Sequence, residues 1–148
     1  IIPDIVRLKG TARAYTEDNR QLVKTRMQEI IDGIAKTFGA EITFDYQDGY
    51  PPTINAAEQS AHLLRAAKKV VGPTAAGDPY LSMGGEDFSY FANEVPGCYF
   101  FIGSAPQGYE PMSVPHHCSH FNMDERALSV GASVFMRVIE DRLMEATR

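Results

Sequence analysis

The sequence predicts an α/β fold, on three observations. Residues 1–50 read as strand, helix, strand. The unbroken apolar run CYFFIG at 98–103 has the character of a strand buried on both faces. Amphipathic stretches with a three-to-four-residue apolar repeat precede and follow that run.

The elements follow in chain order. IIPDIVRLKGTARAY is rich in β-branched and apolar residues and suits a strand or a bent strand pair. In TEDNRQLVKTRMQEIIDGIAKTFGA, residues Leu22, Val23, Met27, Ile30, Ile31, Ile34 and Phe38 form one apolar helical stripe. Thr16 is its expected N-cap, Glu17 and Asp18 sit at the positive helix end, and Gly39 is the expected stop. Ile42, Phe44 and Tyr46 then alternate with polar residues as in a strand covered on one face. The first 50 residues would thus form half of an α/β sandwich.

GYPPTIN breaks the pattern with tandem prolines and marks a hinge or domain boundary. Asn55 and Glu58 have capping-box spacing for a helix carrying Leu63, Leu64, Ala67, Val70 and Val71, which Gly72 and Pro73 end. GGEDFSYF should start a short helix. The last helix, from ERALSV onward, is expected to bury Leu128, Ala132, Phe135, Ile139 and Leu143.

Composition limits the function classes. With 148 residues, 44% of them hydrophobic, the chain can bury one substantial core or two smaller lobes. A formal charge of -5 argues against a nucleic-acid partner, whose phosphates need clustered Lys and Arg. No apolar run approaches the roughly 20 residues that span a bilayer, and no signal peptide is recognisable, so no membrane partner is expected. Cys98 and Cys118 form no CxxC pair and are too few for a disulfide framework, which fits a reducing cytoplasm. The opening IIPDIV, without Met, suggests a fragment.

Three of the four histidines cluster in VPHHCSHFNMDE, residues 114–125. Neutral imidazole is a good ligand for zinc, manganese or cobalt, and carboxylates often complete such sites. Composition alone equally suits a solvated polar loop or a cap on the next helix. A metal site needs about three or four protein ligands, and no helix-borne ligand pair exists elsewhere in the chain. His62 reads as an ordinary surface or half-buried residue.

In order, GTAR, a helix bearing Glu17 and Arg20, YPPTIN, GGEDFSYF, PGCYFFIG and HCSHFNMDERAL resemble a family of metal-dependent amidohydrolases and peptidases. That family includes hippurate hydrolase, N-acyl-amino-acid amidohydrolases, indole-acetyl-amino-acid hydrolases and aminoacylases. The likeness covers almost the whole chain, and family members are far longer. The resemblance implies that residues 1–50 are part of an α/β-sandwich lid, or dimerisation, domain. It likewise implies that residues 51–148 are the C-terminal segment of a di-metal α/β hydrolase-type catalytic domain.

By the same resemblance, the parent would hold two divalent metal ions, zinc, manganese or cobalt. Most ligands and the general-base glutamate would lie outside this chain, which would be inactive alone and without bound metal. The family's histidine, aromatic and acidic-pair spacing falls on His117, Phe121, Asp124 and Glu125, making His117 the implied metal ligand ahead of His116 and His120. Cys118 and Ser119 stand where relatives often have Ser-Pro, which leaves the metal's identity open.

Arg13 matches a lid arginine associated with substrate recognition, and its fork of donors suits a carboxylate. A surface ion pair is the alternative. Gly85 would let backbone approach a ligand, Glu86 would line the site or orient a ligand from behind it, and Asp87 could simply cap the helix. Asn55 is either a substrate contact or only a cap. The implied activity is hydrolysis of an amide bond in N-acyl amino acids or related small amides. The alternatives are a non-catalytic module that forms a homodimer through the lid, and a small-molecule-binding domain.

Overall fold

The computed structural model describes residues 2–74, 76–77, 80–110 and 113–147. It contains four helices: α1 (Glu17–Phe38), α2 (Ala57–Val71), α3 (Phe88–Glu94) and α4 (Arg126–Ala146). Among the described residues there is no strand, so the expected α/β sheet is not formed. Segments 2–15, 41–50 and 97–103 have strand-like composition but join no ladder. The physical reason is that alternation and β-branching supply only propensity. A strand exists through hydrogen bonds to a neighbour at the right register.

The chain divides into two compact units, Ile1–Thr53 with Leu81–Phe91, and Ile54–Tyr80 with Ala92–Arg148. In the first, α1 begins and ends as its sequence dictates. Thr16 accepts a hydrogen bond from Asn19 N at 3.2 Å, and Gly39 closes the helix in the left-handed region at φ 63°. Arg20 forks onto both oxygens of Glu17 at 2.8 and 2.9 Å, which lowers the Glu17 carboxyl below its ordinary range. Asp48 ties the following segment to α1 through Lys24 at 2.6 Å, and that ammonium also lies over the Tyr46 ring. The predicted apolar stripe of α1 is present but uncovered: no residue of the helix is buried, and Phe38 is 78% exposed.

In the second unit α2 packs on α4. The buried residues of α4 are Ala127, Gly131 and Val134, whereas the expected Leu128, Phe135, Ile139 and Leu143 are exposed. Two apolar stripes run side by side on this helix. The stripe of small residues is the buried one, and on α2 the small Ala66 is fully buried as well. A Cβ at Gly131 would come 2.7 Å from Ile102 Cδ1, so that glycine leaves the notch into which CYFFIG inserts one side chain. CYFFIG is not buried on both faces: Cys98 to Phe100 and Ile102 are half-buried, and Phe101 is exposed.

Polar contacts complete the α2–α4 seam. Lys69 binds both oxygens of Asp141 at 2.8 and 2.9 Å and lowers that carboxyl's pKa. His62 is buried, contrary to the surface or half-buried position expected for it, and its Nε2 lies 3.3 Å from Val138 O. Ala66, Ala127 and Val134 are the buried apolar residues among those described. That is a much smaller core than the chain's length and composition suggested.

Candidate functional site

Three of the residues singled out from sequence, Arg13, Gly85 and Glu86, lie in the first unit. Arg13 Nη1 donates to Met83 O at 2.6 Å, across 70 residues of chain. A Cβ at Gly85 would stand 3.8 Å from the same Nη1 and 3.3 Å from Tyr50 Cδ2. GTAR, the first residue of YPPTIN and GGEDF are therefore neighbours, although they are far apart in sequence.

Local structure explains how the loop presents these groups. Ser82 Oγ accepts from Gly84 N at 3.0 Å, folding the loop back on itself just before the paired glycines. Glu86 and Asp87 then open α3 by offering their carbonyls to Ser89 N and Tyr90 N at 3.2 and 3.0 Å. The buried Ser89 hydroxyl adds a second bond to Glu86 O at 2.7 Å. Glu86 is half-buried, while Arg13 and Gly85 are exposed. Beyond Nη1, the Arg13 guanidinium has no hydrogen-bond or ion-pair partner among the described residues, which leaves donors for a ligand carboxylate.

Asn55 and His117 lie in the second unit. The cap of α2 is Ala56, with no side-chain cap bond, so the expected capping box from Asn55 to Glu58 is not made. Asn55 instead grips one residue of CYFFIG: its Nδ2 donates to Tyr99 O and its Oδ1 accepts from Tyr99 N, both at 2.7 Å. The side-chain amide stands in for a single neighbouring peptide of a β-ladder. Ala56 N donates to Gly97 O at 2.9 Å beside it. Asn55 also borders an open groove of about 360 Å³ with Ile54, Ala56, Asn93 and Val95.

The histidine loop is exposed at His116, His117 and His120. His116 sets its ring edge-on to Phe121, with centroids 5.1 Å apart, and Ser119 Oγ lies 3.3 Å from His120 Nδ1. His117 is the one non-glycine residue with positive φ, at 63°, among the described residues. A side chain in that region costs about 1–3 kcal/mol and must be held by its surroundings. Asp124 ends the loop: its N donates to Ser104 O at 2.8 Å, and its Oδ1 accepts from the N–H of Arg126, the first residue of α4, at 3.0 Å. The Arg126 guanidinium and that backbone N–H hold the Asp124 carboxyl at about 2.

Among the described residues, no group of three or more His, Cys, Asp or Glu side chains is arranged to hold a metal. His117 can offer one donor, and these residues do not by themselves fit a metal pair. No hydrogen bond or ion pair joins Asn55 to His117 among the described residues. Sequence reasoning missed Tyr50 and the Met83 carbonyl. Tyr50 carried a signal, an aromatic ring placed directly before the tandem prolines, whereas a backbone carbonyl carries none.

The chain belongs to Peptidase family M20/M25/M40, whose pattern matches residues 5–141. The relatives it matches include proteins named as an amidohydrolase, an amino acid hydrolase and a carboxypeptidase. It is 34% identical over 134 residues to the putative amidohydrolase YhaA of Bacillus subtilis, covering 90% of this chain and 34% of that protein. It is 32% identical over 144 residues to the IAA-amino acid hydrolase ILR1-like 6 of Arabidopsis thaliana, covering 95% of this chain and 31% of the relative. Thermostable carboxypeptidase 1 of Saccharolobus solfataricus is 34% identical over 134 residues, with 89% and 33% covered. The chain thus spans about a third of the length of the curated relatives it matches. No solved structure matches it. Among the described residues, no helix is long and apolar enough to cross a membrane.

Proposed function

We propose that this chain is the part of a metal-dependent amidohydrolase that recognises a substrate carboxylate. The complete protein hydrolyses the amide bond of N-acyl amino acids or related small amides. The observation that carries this reading is the Arg13 guanidinium, anchored through Nη1 to the GGEDF loop and offering its other donors outward. Family membership supports the hydrolase class, and a relative named as an IAA-amino acid hydrolase supports the substrate class. In this reading residues 1–50 belong to the lid domain and residues 51–148 to the catalytic domain.

Gly85 leaves room beside the guanidinium, and the half-buried Glu86 follows it directly in the chain. Asn55 contributes by holding Tyr99, and so CYFFIG, in position. His117 is one ligand of a divalent metal site for zinc, manganese or cobalt that this chain does not complete. The left-handed backbone at His117 sets it apart from His116 and His120.

The test uses the complete open reading frame and paired substrates, N-benzoyl amino acids and their carboxamides. Arg13→Ala should raise KM for the free acids and leave the carboxamides unchanged. Equal KM values for wild type and variant on the free acids would sink the reading. The 148-residue chain alone, supplied with any of the three metals, should show no turnover.

A second reading is favoured by the uncovered stripe of α1, where Leu22, Ile30, Ile34 and Phe38 are all exposed. Two copies of the chain pair through this face, burying apolar area that water otherwise covers. Light scattering of a concentrated solution of the chain tests it. A monomer there counts against pairing.

A further inference from the structure

Tyr50 opens YPPTIN, yet a chain-breaking segment needs only its prolines, so the aromatic ring requires its own explanation. The ring stands edge-on to Tyr90, with centroids 5.9 Å apart and planes at 82°, an arrangement that aromatic quadrupoles favour. Its Cδ2 would lie 3.3 Å from a Cβ at Gly85. Tyr90 belongs to α3, and Gly85 and Met83 belong to the loop leading into that helix. The loop is therefore held at three places: by the ring at Gly85, by the ring on Tyr90, and by Arg13 Nη1 on Met83 O at 2.6 Å.

These contacts depend on one another. Met83 O can fix the guanidinium only if the loop that carries it is fixed. Among the described residues, a Cβ at Gly85 would meet the side chains of Tyr50 and Arg13 within 4 Å. Glycine at 85 is what admits the ring, because any Cβ there would force it to retreat by a few tenths of an ångström. An exposed arginine is otherwise free to sample many rotamers, and fixing it in advance reduces the ordering penalty on binding.

We propose that Tyr50 is a positioning residue for Arg13. Braced by Tyr90 and packed on Gly85, it holds the 82–86 loop so that the Met83 carbonyl anchors one end of the guanidinium and turns the remaining N–H groups toward a ligand carboxylate. This rests on the reading of Arg13 as the carboxylate-binding group and adds the element that orients it. The phenol oxygen has no part in it, so the ring alone is required.

Two readouts on the complete open reading frame separate the inference from the reading beneath it. The first is the ¹⁵N NMR spectrum of the Arg13 guanidinium with no ligand present. A hydrogen-bonded Nη1 slows rotation about Nε–Cζ, so wild type and Tyr50→Phe should show separate Nη resonances. Tyr50→Ala and Gly85→Ala should show them merged, with helix content by circular dichroism unchanged. Identical Arg13 spectra in wild type and Tyr50→Ala overturn the positioning role, whatever any ligand does.

The second readout is a titration with hippurate (N-benzoylglycine). Wild type and Tyr50→Phe should bind alike, Tyr50→Ala about tenfold more weakly, and Arg13→Ala without saturation. If Arg13→Ala matches wild type, or if wild type itself does not bind, the carboxylate reading fails while the guanidinium spectra still decide the role of Tyr50. If hippurate binds and Tyr50→Ala binds it as tightly as Tyr50→Phe does, the inference fails alone.

Discussion

Replacing Asn55 by alanine removes both hydrogen bonds between the side-chain amide and the Tyr99 backbone, each 2.7 Å long. A neutral bond of this kind contributes about 0.5–1.5 kcal/mol net. Because Asn55 is exposed and water can replace part of what is lost, the low end applies, and the pair together gives about 1 kcal/mol. That is close to a fivefold change in a local opening equilibrium, since about 1.4 kcal/mol corresponds to tenfold. Amide hydrogen exchange at Tyr99 reads it directly, because the Tyr99 N–H is the group that donates to Asn55 Oδ1.

The expected result is exchange at Tyr99 about fivefold faster in Asn55→Ala, with a smaller acceleration at Ala56, whose N–H donates to Gly97 O nearby. Asn55→Asp keeps the acceptor and loses the donor, so it should protect Tyr99 N–H better than alanine does. Unchanged Tyr99 exchange in Asn55→Ala would refute the argument that Asn55 replaces a ladder neighbour. Asn55 would then be better explained by direct substrate contact.

Two further predictions follow from burial and charge. Val134→Ala removes apolar volume at a residue only 3% exposed and should destabilise the chain by about 1–2 kcal/mol in urea melts, from two lost methyl groups at roughly 0.8 kcal/mol each. Leu128→Ala, at a residue 65% exposed, should cost under about 0.5 kcal/mol, and the opposite order would restore the larger stripe as the packed face. The Asp124 carboxyl sits at about 2, below its ordinary 3.8. Its stabilising effect is therefore complete above about pH 4 and is lost as pH falls through about 2. Arg126→Ala, which keeps the backbone N–H and loses the guanidinium, should weaken that acid-side dependence of helix content measured by circular dichroism, and a dependence unchanged in the variant would assign it to another group.

What was legible in the sequence was of two kinds. Three helix ends were legible, because capping chemistry is local: Thr16 and Gly39 close α1 as their residue types dictate, and Gly72 ends α2, whereas the start of α2, expected to be capped by Asn55, is not. The family was legible as well, because five ordered motifs survive without knowledge of any contact. Convergence of the site was legible only as an implication of the resemblance, since GTAR and GGEDF meet through a hydrogen bond that spans 70 residues.

The sequence by itself determined which stretches form helices, where α1 and α2 stop and which family the chain belongs to, since all three depend on nearby residues or on their order. Tertiary structure alone decided which stripe of α4 is buried. Ala127, Gly131 and Val134 are buried while Leu128 and Phe135 are exposed, and the side chain that enters the notch at Gly131 is Ile102, a residue outside α4 that no pattern within the helix names. It also decided that Asn55 holds Tyr99 instead of capping α2, and that strand-like segments form no sheet. A ladder needs a partner, and no pattern within a strand's own residues can supply one.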